Sequence, residues 1–239
     1  MPRRIDVHSH MLPGIDDGCE DLEQSLESVV RLQAYGYVGT VCTPHIWPDL
    51  FPGNTPSHIQ GLTVQLQREL KARGIDYRLW PGGELRLFKG AIKWLGQHGV
   101  PTLAGTGYVL CDLWEDRWPR HADQTLDYLL EQGYTPILAH PERMNLDGKL
   151  PGQLDALAER GVLLQGNFNC FTGDEGHLAA ERVRRFLQED RYALMAMDMH
   201  RPDALDTRLE GLDIMSREFG IDEVDRFTQR APWELLGLE

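Results

Sequence analysis

The sequence predicts an α/β fold in which a parallel sheet closes into a barrel. Short apolar or β-branched runs alternate with longer amphipathic segments along the whole chain, and this alternation is typical of consecutive βαβ units. Glycines follow several of the amphipathic segments, as expected at the ends of helices. With 239 residues, of which 41% are hydrophobic, the chain can bury one substantial core, and a barrel of this length is ordinary. We therefore expect a single domain over residues 1–239.

Seven apolar or β-branched runs are short enough to be strands. They are Ile5–His8, Tyr37–Cys42, Asp76–Trp80, Tyr108–Leu113, Thr135–Ala139, Val162–Gly166 and Tyr192–Met197. The helices predicted between them include Leu22–Ala34, Ile59–Ala72, Ala122–Gln132, Leu154–Arg160 and Leu178–Glu189. In the first helix, Leu26, Val29 and Val30 fall three and four residues apart, which gives one apolar face. The segment after Asp203 is predicted to be a helix with a short tail.

Composition and charge exclude several classes of protein. A formal net charge of −13 argues against a broad nucleic-acid surface, which needs clustered lysine and arginine. No apolar run is long enough to insert into a membrane, and the first residues do not resemble a signal peptide, so a cytoplasmic location is expected. The four cysteines form no CxxC pair, which argues against a disulfide framework or a zinc ribbon.

Histidines and carboxylates recur where the predicted strands end. In the first strand, the spacing of His8 and His10 places both side chains on one face. The later strands present His45, Glu84, Asp112, His140, Asp198 and His200 at or near their carboxyl ends. Parallel α/β barrels carry their active sites at these ends. A single buried histidine is commonly structural, but this repeated placement predicts a metal site.

The types of ligand indicate which ions would bind. Imidazole and carboxylate ligands without thiolate suit divalent ions such as Mn²⁺, Fe²⁺ and Zn²⁺. The candidate ligands exceed the number that one ion requires, so a cluster of two or three ions is expected. Such clusters activate water and bind both oxygens of a phosphoryl displacement.

Five motifs resemble those of a known family. DVHSHMLPGIDDG, CTPH, GGEL, AHPER and DMH occur in the order seen in the PHP (polymerase and histidinol phosphatase) metallohydrolases. Within that family, the chain is similar to the bacterial manganese-dependent protein-tyrosine phosphatases of capsule and exopolysaccharide operons. The resemblance extends from Asp6 to about Arg208. It implies a distorted (β/α)7 TIM-like barrel of the PHP type.

The resemblance also implies a trinuclear site with manganese as the expected metal. His8, His10 and Asp198 would bind one ion, and Glu84 would bridge to a second ion that also uses Asp112 and His140. Asp17, His45 and His200 would bind the third ion. Arg143 and Arg208 would contact the phosphate, and Asp17 or His200 would protonate the leaving oxygen. Asp112 stands where the family usually has glutamate, so its shorter side chain must reach its ion differently.

The implied activity is metal-dependent hydrolysis of a phosphomonoester. The expected substrate is phosphotyrosine in a protein, such as the tail of a tyrosine kinase. Trp47, Trp114 and Trp118 follow predicted strands and offer aromatic surface for the substrate ring, although packing beneath loops explains such residues equally well. Because branch members assemble into rings, a homo-oligomer is also expected.

Other chemistries remain as alternatives. One alternative is a PHP phosphatase for a small phosphomonoester such as histidinol phosphate, and another is a catalytically silent regulatory barrel. CDLWEDR has the Cys-x5-Arg spacing of cysteine-dependent tyrosine phosphatases, but Asp112, Glu115 and Asp116 would raise the pKa of the Cys111 thiol and repel phosphate. An amidohydrolase is disfavoured because the predicted strands contain no lysine to bridge metals.

Overall fold

A computed structural model describes residues 3–146 and 148–237 of the chain. The strands are β1 (Arg4–Ser9), β2 (Tyr37–Cys42), β3 (His45–Ile46), β4 (Arg78–Pro81), β5 (Glu84–Arg86), β6 (Tyr108–Asp112), β7 (Thr135–Ala139), β8 (Leu163–Asn167) and β9 (Leu194–Ala196). All seven predicted strands are present, each within two residues of its expected ends. The two additional strands, β3 and β5, are short extensions that follow β2 and β4.

The strands form two parallel sheets, with the orders β1-β2-β4 and β3-β5-β6-β7-β8-β9. The division falls where Pro44 separates β2 from β3 and where Gly82 and Gly83 separate β4 from β5. A Cβ atom on Gly83 would lie 2.6 Å from Ile46 Cδ1 and 2.9 Å from Pro101 Cβ, so a side chain at this break would force both neighbours to move. Beyond β9, the amide of Asp198 donates to the carbonyl of His8 at 2.9 Å. The predicted parallel α/β fold is therefore confirmed, with the sheet divided at two breaks.

Nine α-helices are found in the described part of the chain. They are α1 (Leu22–Ala34), α2 (Pro56–Ala72), α3 (Ala91–His98), α4 (Arg120–Glu131), α5 (Leu150–Glu159), α6 (His177–Gln188), α7 (Leu205–Phe219), α8 (Ile221–Asp225) and α9 (Ala231–Leu236). The five helices predicted between the strands and the helix predicted after Asp203 are all present, and α3 is additional. Asp21 caps α1 by accepting a hydrogen bond from the amide of Gln24. None of the described helices is both long and apolar enough to cross a membrane.

Two apolar clusters build the core. The larger one lies between the strands and the helices, and on β6 it contains Val109 and Cys111. The residue between them, Leu110, belongs to a second cluster on the opposite face, which we call the inner cluster. The inner cluster contains Ile5, Val7, Val41, Trp80, Leu103, Leu110, Ile137, Ala139, Leu194, Ala196 and Leu236. Alternate residues of one strand therefore support both layers.

The segment after α7 is more than the predicted short tail. It forms α8 and α9, and Leu236 of α9 packs into the inner cluster. Trp233 Nε1 donates a hydrogen bond to the carbonyl of Arg3 at 2.8 Å, and Arg4 pairs with Asp225 at 3.2 Å. The last helices therefore cover the amino-terminal end of β1, opposite the end where the histidines lie.

Candidate metal centre

All nine predicted ligands meet at the carboxyl ends of the strands. They are His8, His10, Asp17, His45, Glu84, Asp112, His140, Asp198 and His200. Seven of these residues are buried, whereas His200 is half-buried and Asp17 is exposed. The ligand atoms of eight of them fall into three groups, each with all its atoms within 4.8 Å of one another: His8, His10 and Asp198; His8, Glu84 and His140; and His10, Asp17, His45 and His200. Asp112 belongs to none of these groups but lies beside His140. The sequence-based prediction that distant strand ends converge on one place agrees with this geometry.

The first group contains His8, His10 and Asp198. The two Nε2 atoms lie 3.3 Å apart, and each lies 3.3 Å from Asp198 Oδ1. Burial acts to raise the pKa of Asp198, but its close approach to His8 and His200 and a hydrogen bond from His10 hold that pKa well below its usual value. The group thus presents an ionised carboxylate and two imidazoles to one point.

Glu84 lies at the middle of the centre. Its Oε1 is 3.1 Å from His140 Nε2 and 3.5 Å from His8 Nε2. Its Oε2 is 3.5 Å from His10 Nε2 and 2.7 Å from His45 Nδ1. Because the two oxygens face different histidines, Glu84 could contribute one oxygen to each of two neighbouring ligand groups.

Asp112 stands slightly apart from these contacts. Its Oδ1 is 3.9 Å from His140 Nε2 and has no hydrogen-bond partner among the described residues. Burial, followed by the charge of Glu84, raises the pKa of Asp112 to about 6. A fully buried carboxylate oxygen without a partner is costly unless a cation compensates it. The unpartnered Oδ1 of Asp112 is therefore suited to bind a cation beside His140, as the sequence analysis predicts.

The third group contains His10, Asp17, His45 and His200. Asp17 Oδ1 lies 3.4 Å from His45 Nε2 and 3.6 Å from His200 Nε2. Burial and the nearby charge of His10 lower the pKa of His200 to about 4. A neutral imidazole is the form that binds metal. The donor set of all three groups, nitrogen and oxygen without sulfur, fits divalent ions of the Mn, Fe and Zn class.

Two ligands occupy strained backbone positions. His140 has φ 34° and Asp198 has φ 47°, in the left-handed region that non-glycine residues rarely adopt. His140 directly follows β7, and its amide donates to the carbonyl of Gln165 at 2.7 Å. Asp198 lies two residues beyond the end of β9, and its amide donates to the carbonyl of His8 at 2.9 Å. These turns direct the two side chains back into the cluster.

Both arginines predicted to contact phosphate line the cleft above the ligands. The cleft has a volume of about 420 Å³, and its walls include Trp114, His140 and Glu175. Arg143 is held by Asp198 Oδ2 and Glu175 Oε2, each at 3.2 Å. Arg208 donates from Nε to the carbonyl of Asp198 at 2.8 Å. Positive charge is thus concentrated beside the metal centre of an acidic protein.

The chain matches the family described as "Capsular polysaccharide synthesis, CpsB/CapC" over residues 4–237. It belongs to this family. It is 29% identical over 233 residues to the tyrosine-protein phosphatase YwqE of Bacillus subtilis, covering 97% of this chain and 91% of that protein. It is 26% identical over 223 residues to the tyrosine-protein phosphatase CpsB of Streptococcus pneumoniae, covering 90% and 91% respectively. The resemblance inferred from the motifs is confirmed.

Solved structures agree with this membership. A structure reported for YwqE and CpsB as "unique metal-dependent tyrosine phosphatases" superposes with a TM-score of 0.87 at 28% identity, over 98% of this chain and 94% of that chain. The phosphotriesterase homology protein of Escherichia coli superposes with a TM-score of 0.59 at 11% identity, over 98% and 99%. The second likeness concerns the fold alone. The CpsB/CapC chain thus shares its architecture with TIM-barrel-like hydrolases.

Aromatic side chains border the cleft of this CpsB/CapC chain. Trp114 is 55% exposed, and its ring centroid lies 6.3 Å from that of Trp47 and 6.5 Å from that of His45. Phe51, which motif analysis did not identify, stacks on His45 at 5.9 Å. Trp118 packs against the larger core cluster. Trp114 therefore stands at the mouth of the cleft with Trp47 packed beside it, whereas Trp118 belongs to the core.

Cys111 does not have the environment of a catalytic thiolate. It is fully buried on β6, and burial together with the charge of Asp112 raises the pKa of its thiol far above the usual range. The four cysteines of the CpsB/CapC chain are all free and buried. The Cys-x5-Arg spacing is therefore coincidental, as its acidic neighbours indicated.

Several polar residues that support the ligands were not identified from the sequence. They are Asp16, which lies 2.7 Å from His10 Nδ1, Gln165 and Asn167 on β8, and Glu175 beside Arg143. One signal was available for the β8 pair: the predicted strand Val162–Gly166 is followed by asparagine and already contains a glutamine. A polar residue in an otherwise apolar strand suggests a buried hydrogen-bond partner.

Proposed function

We propose that this CpsB/CapC protein is a metal-dependent phosphatase that hydrolyses phosphotyrosine in proteins. The carrying observation is the convergence of eight nitrogen and oxygen ligands, with Asp112 beside His140, beneath a cleft that also contains Arg143 and Arg208. The relatives named tyrosine-protein phosphatases support the same activity. Its partner would be the phosphorylated tail of a tyrosine kinase of capsule or exopolysaccharide synthesis, met in the cytoplasm. Assembly into a homo-oligomer is a further part of the proposal.

The three ligand groups would hold two to three divalent ions, with manganese proposed and iron or zinc as the alternatives. His8, His10 and Asp198 would hold one ion. Glu84, His140 and Asp112 would hold the second, and Asp17, His45 and His200 the third. When bound, such ions supply Lewis acidity, which makes water nucleophilic at neutral pH and stabilises charge on phosphoryl oxygens.

The side chains of the cleft would perform the remaining steps. Arg143 would bind the phosphoryl group and offset the negative charge that develops on its oxygens during displacement. Arg208 would add a second positive charge from the same side. Of the two predicted proton donors, Asp17 would hold the proton that passes to the leaving oxygen, because the pKa of His200 is lowered to about 4 and its imidazole is neutral. A phenolate leaves more readily than an alkoxide, so this protonation contributes less for phosphotyrosine than for phosphoserine.

The aromatic border supports an aryl substrate. An exposed tryptophan at the mouth of a polar cleft provides a flat apolar surface for an aromatic ring. Trp114 has this position, and Trp47 supports it from behind at 6.3 Å. A tyrosine ring that carries its phosphate towards Arg143 would thereby be held on one face.

The direct test compares substrates and variants under defined metal content. Purified protein is depleted with a chelator, reloaded with Mn²⁺, Fe²⁺ or Zn²⁺, and assayed with a phosphotyrosine peptide, a phosphoserine peptide and histidinol phosphate. We expect chelation to abolish turnover, Mn²⁺ to restore it, and phosphotyrosine to be preferred. His140→Ala and Asp198→Ala should be inactive but folded by circular dichroism, while Cys111→Ala should retain activity.

The contrary outcomes identify the alternatives. Turnover that survives chelation but disappears in Cys111→Ala would mean a thiolate mechanism. Preference for histidinol phosphate would indicate a small-molecule phosphatase. A protein that binds ions but hydrolyses none of these substrates would fit the silent regulatory barrel.

A further inference from the structure

Two buried amide side chains lie behind the metal centre on β8. Gln165 and Asn167 are both fully inaccessible to solvent, and their spacing places them on one face of the strand. Neither belongs to the three ligand groups. A buried amide costs free energy unless its donors and acceptors are matched, so the partners of these two residues reveal their role.

The two amides form a continuous chain of hydrogen bonds between two ligands. Gln165 Oε1 lies 2.8 Å from His8 Nδ1. Gln165 Nε2 donates to Asn167 Oδ1 at 2.8 Å, and Asn167 Nδ2 donates to Asp198 Oδ2 at 2.7 Å. His8 and Asp198 belong to the same ligand group. We call this chain the amide relay.

Asp198, the acceptor at one end of the relay, fixes the orientation of both amide side chains. Asp198 Oδ2 also accepts a hydrogen bond from Arg143 at 3.2 Å, as an ionised carboxylate does. Asn167 must therefore present its NH₂ group to Asp198 and its oxygen to Gln165. Gln165 must in turn present its NH₂ group to Asn167, which leaves its own oxygen for His8.

An independent contact fixes the same orientation of Gln165. Its Nε2 also donates to the carbonyl of Gly166 at 2.6 Å, and a backbone carbonyl can only accept. In the reversed orientation, Gln165 Oε1 would face two acceptors, Gly166 O and Asn167 Oδ1. Both of its amide hydrogens are therefore used, and its oxygen needs a donor from His8 Nδ1.

We infer that Gln165 and Asn167 are positioning residues that hold His8 as the tautomer protonated on Nδ1. In this tautomer, His8 Nε2 keeps its lone pair and points into the ligand group, where it lies 3.3 Å from Asp198 Oδ1. The opposite tautomer would place a proton on Nε2, and an incoming ion would have to displace it. The inference rests on the proposed metal site but concerns the free protein as well as the loaded one.

The first test measures metal affinity in Gln165→Met. Methionine has a similar length but cannot accept from His8 or donate to Asn167. Removing an outer partner of a ligating histidine typically weakens metal binding by about 10- to 100-fold, and we expect a loss in this range for Mn²⁺ in competition with a chelator of known affinity. An unchanged affinity in a folded Gln165→Met protein would overturn the inference.

Gln67→Met is the matched control. Gln67 donates to the carbonyl of Tyr77 and accepts from the amide of Leu79, both at 2.8 Å, but it lies outside the ligand groups. The same substitution there removes two hydrogen bonds of a structural amide. It should lower the free energy of unfolding without changing the affinity for Mn²⁺.

The second test reads the tautomer directly in the wild-type chain. Long-range ¹H–¹⁵N spectra of the metal-free, ¹⁵N-histidine-labelled protein distinguish the protonated ring nitrogen, and a His8→Asn variant identifies the His8 signals. We expect protonation on Nδ1, and protonation on Nε2 would overturn the inference even if Gln165→Met failed to fold. A protein with the expected tautomer and Mn²⁺ affinity but no phosphotyrosine hydrolysis would refute the proposed function and leave the relay intact.

Discussion

His10 Nδ1 lies 2.7 Å from Asp16 Oδ2, on the side of the ring opposite its ligand atom. Asp16 is itself held in place, because it accepts hydrogen bonds from the amides of Gly18 and His45, each at 3.0 Å. Although burial acts to raise it, the pKa of Asp16 is lowered by the charge of His10. Since His10 takes part in two ligand groups, this one carboxylate orients a side chain that both groups share.

Asp16→Ala should therefore weaken metal binding. Without the carboxylate, the ring of His10 is free to turn and loses basicity, and such changes cost about 10- to 100-fold in affinity. Chelator competition with Mn²⁺ measures the effect. Asp21→Ala is the control, because it removes the cap of α1 and should cost about 1 kcal/mol of stability with no loss of affinity. Equal Mn²⁺ affinities in wild type and Asp16→Ala would contradict the prediction.

Trp114→Ala should reduce the selectivity for aryl phosphates. An aromatic contact contributes about 0.5–1.5 kcal/mol, so we expect kcat/KM for a phosphotyrosine peptide to fall by up to about tenfold. Hydrolysis of an alkyl phosphate should change little, and Trp114→Phe should retain most of the preference. Leu50→Ala is the control, because Leu50 is 57% exposed and is not among the described residues that line the cleft. Parallel losses for aryl and alkyl substrates would exclude a role in ring recognition.

Glu175 should affect both the position of Arg143 and the affinity of the cleft for phosphate. Its Oε2 holds Arg143 at 3.2 Å, while its Oε1 accepts from Asn169 at 2.8 Å. Glu175→Gln keeps an acceptor and removes a negative charge from the cleft, so KM for para-nitrophenyl phosphate should fall with kcat retained. Glu175→Ala loses a hydrogen bond to a charged group, and kcat should fall by about tenfold or more. Identical kinetics for the two variants would show that the charge alone matters.

Asp112 should make the metal-free protein less stable as the pH rises. Its pKa is raised from 3.8 to about 6 in the folded protein, so the folded state binds more protons than the unfolded state between these values. Stability from this group is therefore present at low pH and is lost as the pH rises through about 6. At pH 8, Asp112→Asn should raise the free energy of unfolding by about 2–3 kcal/mol, whereas near pH 4 the effect should be small. Urea unfolding in a chelator measures both, and a pH-independent difference would refute the assignment.

Much of the fold could be predicted because its signals are local. The strand Tyr37–Cys42, the strand Thr135–Ala139 and the helix Leu22–Ala34 were predicted with the bounds that the structure shows, since each has a clear apolar pattern and a defined end. The strands His45–Ile46 and Glu84–Arg86 were missed, because two or three residues carry no periodicity. Their pairing depends on Gly83 approaching Ile46, a contact between distant segments.

The candidate ligands could be identified from the sequence for a similar reason. The residues that hydrogen-bond to them could not. Every predicted ligand except Asp17 lies at or close to the carboxyl end of a predicted strand, so the position of a single residue along the chain indicates it. The role of Gln165 depends on His8, which lies 157 positions away, and no local pattern connects them. Asp16 belongs to the motif GIDDG, but the sequence does not distinguish it from Asp17, which is also an aspartate. Only the folded backbone separates the aspartate that orients a histidine from the one that faces the cleft.

The contacts between the first strand and the last helices have a consequence for folding kinetics. Trp233 meets Arg3 across 230 positions of sequence, and the amide of Asp198 meets the carbonyl of His8 across most of the chain. Closing such long loops is entropically expensive and slows folding. The ligands on β1 therefore have no complete set of partners until the chain as far as Asp198 and His200 has been synthesised. Metal loading should be a late event that draws the folded state forward by mass action.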